Sequence, residues 1–219
     1  MHQGTVGVER VNTRCCIVGG GPAGLMLAYL LARAGVDVLV LEKHADFLRD
    51  FRGDTIHPST LELMHELRLL EEFLQRPHDE VRQLNGWIGE SLLRLGDFTH
   101  LPTHCKFITF MPQWDFLSFL AEQARRYPSF GLLMNTEATD LLVEDALVTG
   151  VRAKSAQGQL EIRAGLTIAE MAAIPSFVKK PASKSSVSAR PWMCSGCVFH
   201  ALRAILRLRW AALMPANSW

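Results

Sequence analysis

Between Arg14 and Glu42 an apolar run meets a glycine cluster, then a helical pattern, then a second apolar run that ends on an acid. No other stretch of the 219 residues limits the fold as sharply. Cys15, Cys16, Ile17 and Val18 are continuously apolar, as in a parallel strand covered on both faces. Gly19-Gly-Gly21-Pro-Ala-Gly24 follows without a gap. It opens a segment in which Leu25, Ala28, Leu31 and Ala32 recur at helical spacing and which ends near Gly35. Val36 to Leu41 reads as a second buried strand, with Glu42 at its carboxyl end. A β-α-β order with short connections predicts an α/β fold with a parallel sheet.

The glycines have separate tasks in such a unit. Gly19 permits the tight turn, Gly21 lets the backbone approach a pyrophosphate, and Gly24 allows close packing of helix on strand; Pro22 and Ala23 complete the loop. The amino terminus of the helix offers N–H groups and partial positive charge to phosphates. Glu42 comes 18 residues after Gly24, near the distance at which a carboxylate accepts hydrogen bonds from a ribose. Strand, loop, helix, strand and acid in register point to a dinucleotide site, the plain alternative being a glycine-rich turn in an ordinary α/β sheet. NAD and FAD share this crevice, and the residues so far do not separate them.

Composition sets the outer limits. Apolar residues are 48% of the chain and charged residues 21%, which argues against disorder or a fibrous architecture. No run of 18 uncharged apolar residues is present, so no integral membrane segment is expected, and Met1 to Thr13 lacks a signal-peptide core and reads as a flexible amino terminus. Five cysteines, with Cys15 and Cys16 adjacent in an apolar run, suit buried thiols in a reducing compartment, hence a cytoplasmic location.

Farther along, Pro58 suits the first turn of a helix carrying Leu61, Leu63, Met64 and Leu67, and another helix is expected from about Trp114 to Arg126. Short strands follow at Gly131–Met134, Ala138–Val143, Leu147–Ala153 and Gln159–Arg163, punctuated by Gly150 and Gly158 as hairpin turns require. His57 and His65 have no second ligand at metal spacing, and no metal site is expected.

Cys15 to Leu25, Glu42-Lys43, and Phe51-Arg-Gly-Asp-Thr-Ile-His-Pro-Ser-Thr-Leu-Glu-Leu63 together resemble the amino-terminal third of FAD-dependent aromatic-ring hydroxylases, the p-hydroxybenzoate hydroxylase-like flavoprotein monooxygenases. The resemblance runs to about Ala169. It implies a Rossmann-like FAD/NAD(P)-binding domain over 14–169 with a β-meander, and within it a partial substrate-domain sheet over about 81–111, Val81 to Leu95 forming its edge. Leu166 to Ala169 is then the strand returning to the parallel sheet. By position, Gly19, Gly21 and Gly24 would hold the FAD pyrophosphate, Glu42 the ribose and Lys43 the adenosine, while Arg52 and Gln113 would lie by the flavin. Solvated surface charge remains the alternative for Lys43 and Arg52, and a helix cap for Gln113. The implied activity is hydroxylation of a small aromatic substrate with NAD(P)H as co-substrate and dioxygen. No side chain is singled out as catalytic, no nucleic-acid partner is expected, and the oligomeric state is left open.

The pattern breaks near residue 170. The first 170 residues hold all 22 Asp and Glu against 16 Lys and Arg; the last 49 hold 7 Lys and Arg and no acid. The resemblance calls for an Asp-Gly motif after the returning strand, and Glu170-Met-Ala-Ala stands there instead. In the neighbouring reading frame, however, the triplet spanning Glu170 and Met171 encodes Asn or Asp and the next encodes Gly. Residues 170–219 are therefore expected to be an irregular, out-of-frame tail. Its alternatives are half a zinc site at Cys194 and Cys197, with His200 a poor complement, and a basic amphipathic helix for an anionic membrane around Leu202 to Trp210. For the whole chain, the alternatives are an inactive nucleotide-binding remnant and an NAD-binding Rossmann protein of another class.

Overall fold

Cys15, Cys16, Ile17 and Val18 are all at most 4% exposed, and so are Val40 and Leu41 in the next strand, as expected for parallel strands covered on both sides. The computed structural model describes residues 8–48 and 54–169. In it, β1 (Glu9–Val18) leads into α1 (Pro22–Arg33) and β2 (Val38–Leu41). Pro22 occupies the first turn of α1, where its fixed φ suits the helix and its missing N–H costs nothing. Gly35, at φ 71°, stops the helix while the N–H groups of Gly35 and Val36 donate to the carbonyls of Ala32 and Leu31.

A short strand β3 (Thr55–Ile56) follows, then helices α2 (Pro58–Glu66) and α3 (Leu70–Phe73), then strands β4 (Asp79–Val81), β5 (Gln83–Ile88), β6 (Ser91–Asp97) and β7 (Ile108–Phe110). Helix α4 (Gln113–Ala124) precedes β8 (Phe130–Leu133), β9 (Glu137–Glu144), β10 (Leu147–Ser155) and β11 (Gly158–Ala169). The main sheet has the order β8-β2-β1-β11-β10-β9, in which β8, β2, β1 and β11 are parallel and the β9–β11 meander is antiparallel. Strands β3, β7 and β4 make a separate small sheet, and β5 pairs with β6 alone.

The parallel strands β1, at Cys15 to Val18, and β2 are buried on both faces. On one, Ile17 and Val40 pack with Leu25 and Ala28 of α1 and Phe119 and Leu120 of α4. On the other, Cys16, Val18, Leu39 and Leu41 meet Ala138, Val151, Ala153 and Ile162 of the meander. Each of the Ile, Val, Leu and Phe side chains among these, once buried, contributes roughly 1.5–3 kcal/mol.

Three expectations need correction. The segment 1–13 is not flexible throughout: β1 starts at Glu9, because Glu9 to Thr13 pair with Leu160 to Ala164 of β11. Gln159–Arg163 and Leu166–Ala169 are not two strands but one, since β11 pairs with β1 along both stretches. Gly150 lies inside β10 at a register irregularity, not in a turn. The turn before β10 is made by Asp145 and Ala146, both at positive φ. The expected tail over 170–219 lies outside the described residues, as does Arg52.

Candidate dinucleotide site

Strand β1 runs out at Val18, and the glycine loop begins there. Gly19 takes φ 115°, a conformation few side chains tolerate, and its N–H donates to the Leu41 carbonyl at 2.9 Å. The turn is thereby tied to the end of β2. Gly20 donates its N–H to Oε2 of Glu42 at 2.9 Å. A Cβ at Gly20 would sit 3.1 Å from both Cβ and Oε2 of Glu42, so a larger residue would push the loop and the acid apart. Gly21 is the N-cap residue of α1, with its carbonyl accepting from Leu25 at 2.9 Å.

No side chain caps this helix, and its first turn contains no acid. Backbone N–H groups at the start of a helix have no intrahelical acceptor and carry partial positive charge, so this end of α1 favours an anion. Gly24 is buried and lets α1 lie close to the sheet. The donor set suits an anion with several oxygens, such as a diphosphate.

Glu42 is only 4% exposed. Its Oε1 accepts the His44 N–H at 3.0 Å, its own N–H donates to Leu133, and its carbonyl accepts from Thr136. The carboxylate is thus held from both sides at the point where β2 and β8 end. Lys43, next in sequence, is exposed. Gln113 is the first residue of α4 and half-buried; Pro112 holds the N-cap position and no side chain caps the helix, so the capping alternative for Gln113 is not observed. Just before it, the Met111 N–H donates to the Asp54 carbonyl at 2.9 Å, and Phe110 pairs with Thr55. The loop and Glu42 are therefore in direct contact, whereas the segment before Gln113 is tied to Asp54 and Thr55.

Gly20 escaped the sequence reading, which weighed only the spacing of Gly19, Gly21 and Gly24. The uninterrupted run of three glycines was the available signal. The buried thiols sit directly beneath the loop. Burial pushes Cys15 up to about 11 and Cys16 up to about 12, which keeps both protonated and unreactive near neutral pH. Farther off, a hollow of about 300 Å³ between the segment after β2 and α4 is lined by Phe47, Leu48, Trp114 and Met134 among others. None of Gly19 to Gly24 borders it. Among the described residues no helix is long and apolar enough to cross a membrane, and no group of three His, Cys, Asp or Glu is placed to hold a metal.

Residues 12–169 match the family described as FAD binding domain. The 6-methylpretetramide 4-monooxygenase of Streptomyces rimosus is 32% identical over 163 residues, which are 73% of this chain and 38% of that protein. The chain thus spans well under half the length of this curated relative. Among solved structures, an anhydrotetracycline hydroxylase from Streptomyces rimosus superposes with TM-score 0.61 at 28% identity, covering 73% of this chain and 31% of the other. The p-nitrophenol 4-monooxygenase of Pseudomonas putida DLL-E4, at TM-score 0.65 and 23% identity over 74% of this chain and 41% of the other, shares the fold. A glycine loop bound to a buried glutamate, in a sheet of this order and with this match over most of its length, makes the chain a member of the FAD binding domain family.

Proposed function

We propose that the chain binds FAD at the glycine loop and serves a cytoplasmic monooxygenase that hydroxylates a small aromatic substrate with NAD(P)H as reductant. The observation that carries this reading is the 2.9 Å bond from the Gly20 N–H to Glu42, which locks the phosphate loop to the ribose acceptor. Gly19, Gly21, Pro22, Ala23 and Gly24 receive the diphosphate, since glycines around the helix start let oxygens approach backbone N–H groups closely. Glu42 takes the ribose hydroxyls, Lys43 flanks the adenosine, and Arg52 and Gln113 serve the flavin end. Bound FAD supplies the two-electron chemistry that activates dioxygen; the chain supplies position and a dry floor of buried Cys15 to Val18. Relatives named as aromatic monooxygenases and hydroxylases support the substrate class. Free, buried thiols at Cys15, Cys16 and Cys105 support a reducing compartment.

Replacing Gly21→Val tests the site. A branched side chain at the N-cap obstructs the approach of pyrophosphate, and flavin affinity is expected to fall at least about tenfold, or 1.4 kcal/mol, by fluorescence titration. Unchanged affinity in a folded variant rejects the assignment. For the activity, substrate-stimulated oxidation of NAD(P)H is expected; a flavin-loaded protein that oxidises neither NADH nor NADPH with any phenolic substrate speaks against it.

A further inference from the structure

Among the described residues, four that are not glycine take a positive φ: Arg68, Asn135, Asp145 and Ala146. Arg68 follows α2, where its N–H and that of Leu69 close the helix end on the carbonyls of His65 and Met64. Asp145 and Ala146 join β9 to β10. Asn135 differs in its place. It follows β8 at the carboxyl ends of the parallel strands, the side on which open α/β sheets bind ligands and on which the glycine loop and Glu42 stand. A sparsely populated backbone conformation at such a place points to a task.

At φ 50° Asn135 bends the chain toward the segment that follows β2. Two consecutive N–H groups bond to that segment, Asn135 donating to the His44 carbonyl and Thr136 to the Glu42 carbonyl, both at 2.9 Å. The Glu42 N–H completes the tie, donating to the Leu133 carbonyl at 2.8 Å. Thr136, only 3% exposed, closes the bend with its hydroxyl, which donates to the Met134 carbonyl at 3.0 Å. The pairing of β2 with β8 ends at Leu41 and Leu133, so these bonds carry the register on through Glu42 to His44. Glu42 depends on that support, because its two carboxylate oxygens accept from different segments: Oε2 from Gly20 of the loop, Oε1 from His44. A main chain displaced at 42–44 cannot keep both.

The residue type fits. Asparagine enters the left-handed region more readily than most residues, glycine enters it freely, and a β-branched residue does so at a steric cost. Asn135 is exposed, so burial does not select it; the backbone conformation does. We propose that Asn135 is a positioning residue of the cofactor site: its left-handed bend fixes the main chain at Glu42 and, through it, the carboxylate that joins the glycine loop to the ribose. The proposal rests on the FAD reading of that loop and goes beyond it, making an exposed residue outside the loop govern how tightly the cofactor is held.

Two measurements on the full chain test it, with each variant shown to be folded by circular dichroism. The first is amide hydrogen exchange by NMR without cofactor. In Asn135→Val the Gly20 N–H is expected to exchange at least about tenfold faster than in the unaltered chain, while the Ile17 N–H, inside β1, keeps its rate. Asn135→Gly should leave both rates nearly unchanged. An unchanged Gly20 rate in Asn135→Val, or an equal rise in Asn135→Gly, overturns the proposal. If Asn135→Val does not fold, Asn135→Ala carries the same comparison, with an expected rise of about threefold. The second is FAD titration by flavin fluorescence. Asn135→Val is expected to weaken FAD at least about tenfold and Asn135→Gly less than about threefold. In a Glu42→Ala background Asn135→Val should have almost no further effect, because the bend acts through that carboxylate. Full additivity in the double variant overturns the proposal and leaves the FAD site standing. A folded, unaltered chain that binds no FAD overturns the FAD reading and, with it, the role of Asn135 in holding the cofactor.

Discussion

The β1-α1-β2 unit and the β5–β6 hairpin both carry large apolar side chains, and these have opposite fates. In the first, Ile17, Leu25, Ala28 and Val40 are fully buried between sheet and helices. In the second, Trp87 is 71% exposed and Ile88 60%, and Leu92, Leu93 and Leu95 are also exposed, because each strand pairs only with the other. Among the described residues no third strand pairs with this hairpin, and an isolated hairpin gains little from its side chains. The packing that stabilises the fold therefore resides in the parallel unit.

The strongest way to break this contrast is Phe119→Ala, which empties a site 1% exposed against the sheet. It is expected to cost about 3–5 kcal/mol in urea unfolding; a loss below 1 kcal/mol contradicts the assigned core. Gly150→Ala comes next. At φ 151° the added Cβ would lie 2.0 Å from the Ile162 carbonyl oxygen, and the expected cost is about 3 kcal/mol, read as a lower unfolding midpoint. Alkaline pH probes the same core through its thiols. Unfolded thiols ionise near 9.0, whereas burial raises Cys15 to about 11 and Cys16 to about 12, so the unfolded chain releases protons first. Stability is full below about pH 9 and falls as pH rises toward 11 to 12. Cys15→Ala with Cys16→Ala should flatten that fall, and an unchanged pH profile would place its origin elsewhere. The smallest effect belongs to the hairpin: Trp87→Ala should change stability by less than about 0.5 kcal/mol. A loss comparable to that of Phe119→Ala would mean the hairpin is a covered element and would erase the contrast.

What the sequence made legible follows the same division. The parallel unit was readable because continuous burial leaves continuous apolar runs, and because a phosphate loop needs glycine at fixed spacing. Glu42 was found by distance alone, and the structure adds why it is fixed there: N–H groups of Gly20 and His44 hold its two oxygens. The beginning of β1 was missed because Glu9 to Arg14, apart from Val11, are polar and mostly exposed, and only pairing with a strand some 150 residues later makes them β-structure. Gly150 misled for a related reason. A glycine in a strand marks close approach of a neighbouring backbone as readily as a turn, and the neighbour is remote in sequence. Strands β3 and β7, two and three residues long, carry too little periodicity to be read at all.

The most direct test of the central claim is competition for bound FAD on the full chain. Adenosine and diphosphate are the parts of the cofactor assigned to the glycine loop and Glu42. ADP is therefore expected to displace FAD in a fluorescence titration while FMN, which lacks both the adenosine and the second phosphate, does not. Displacement by FMN with none by ADP would put the cofactor's anchoring elsewhere and contradict the account.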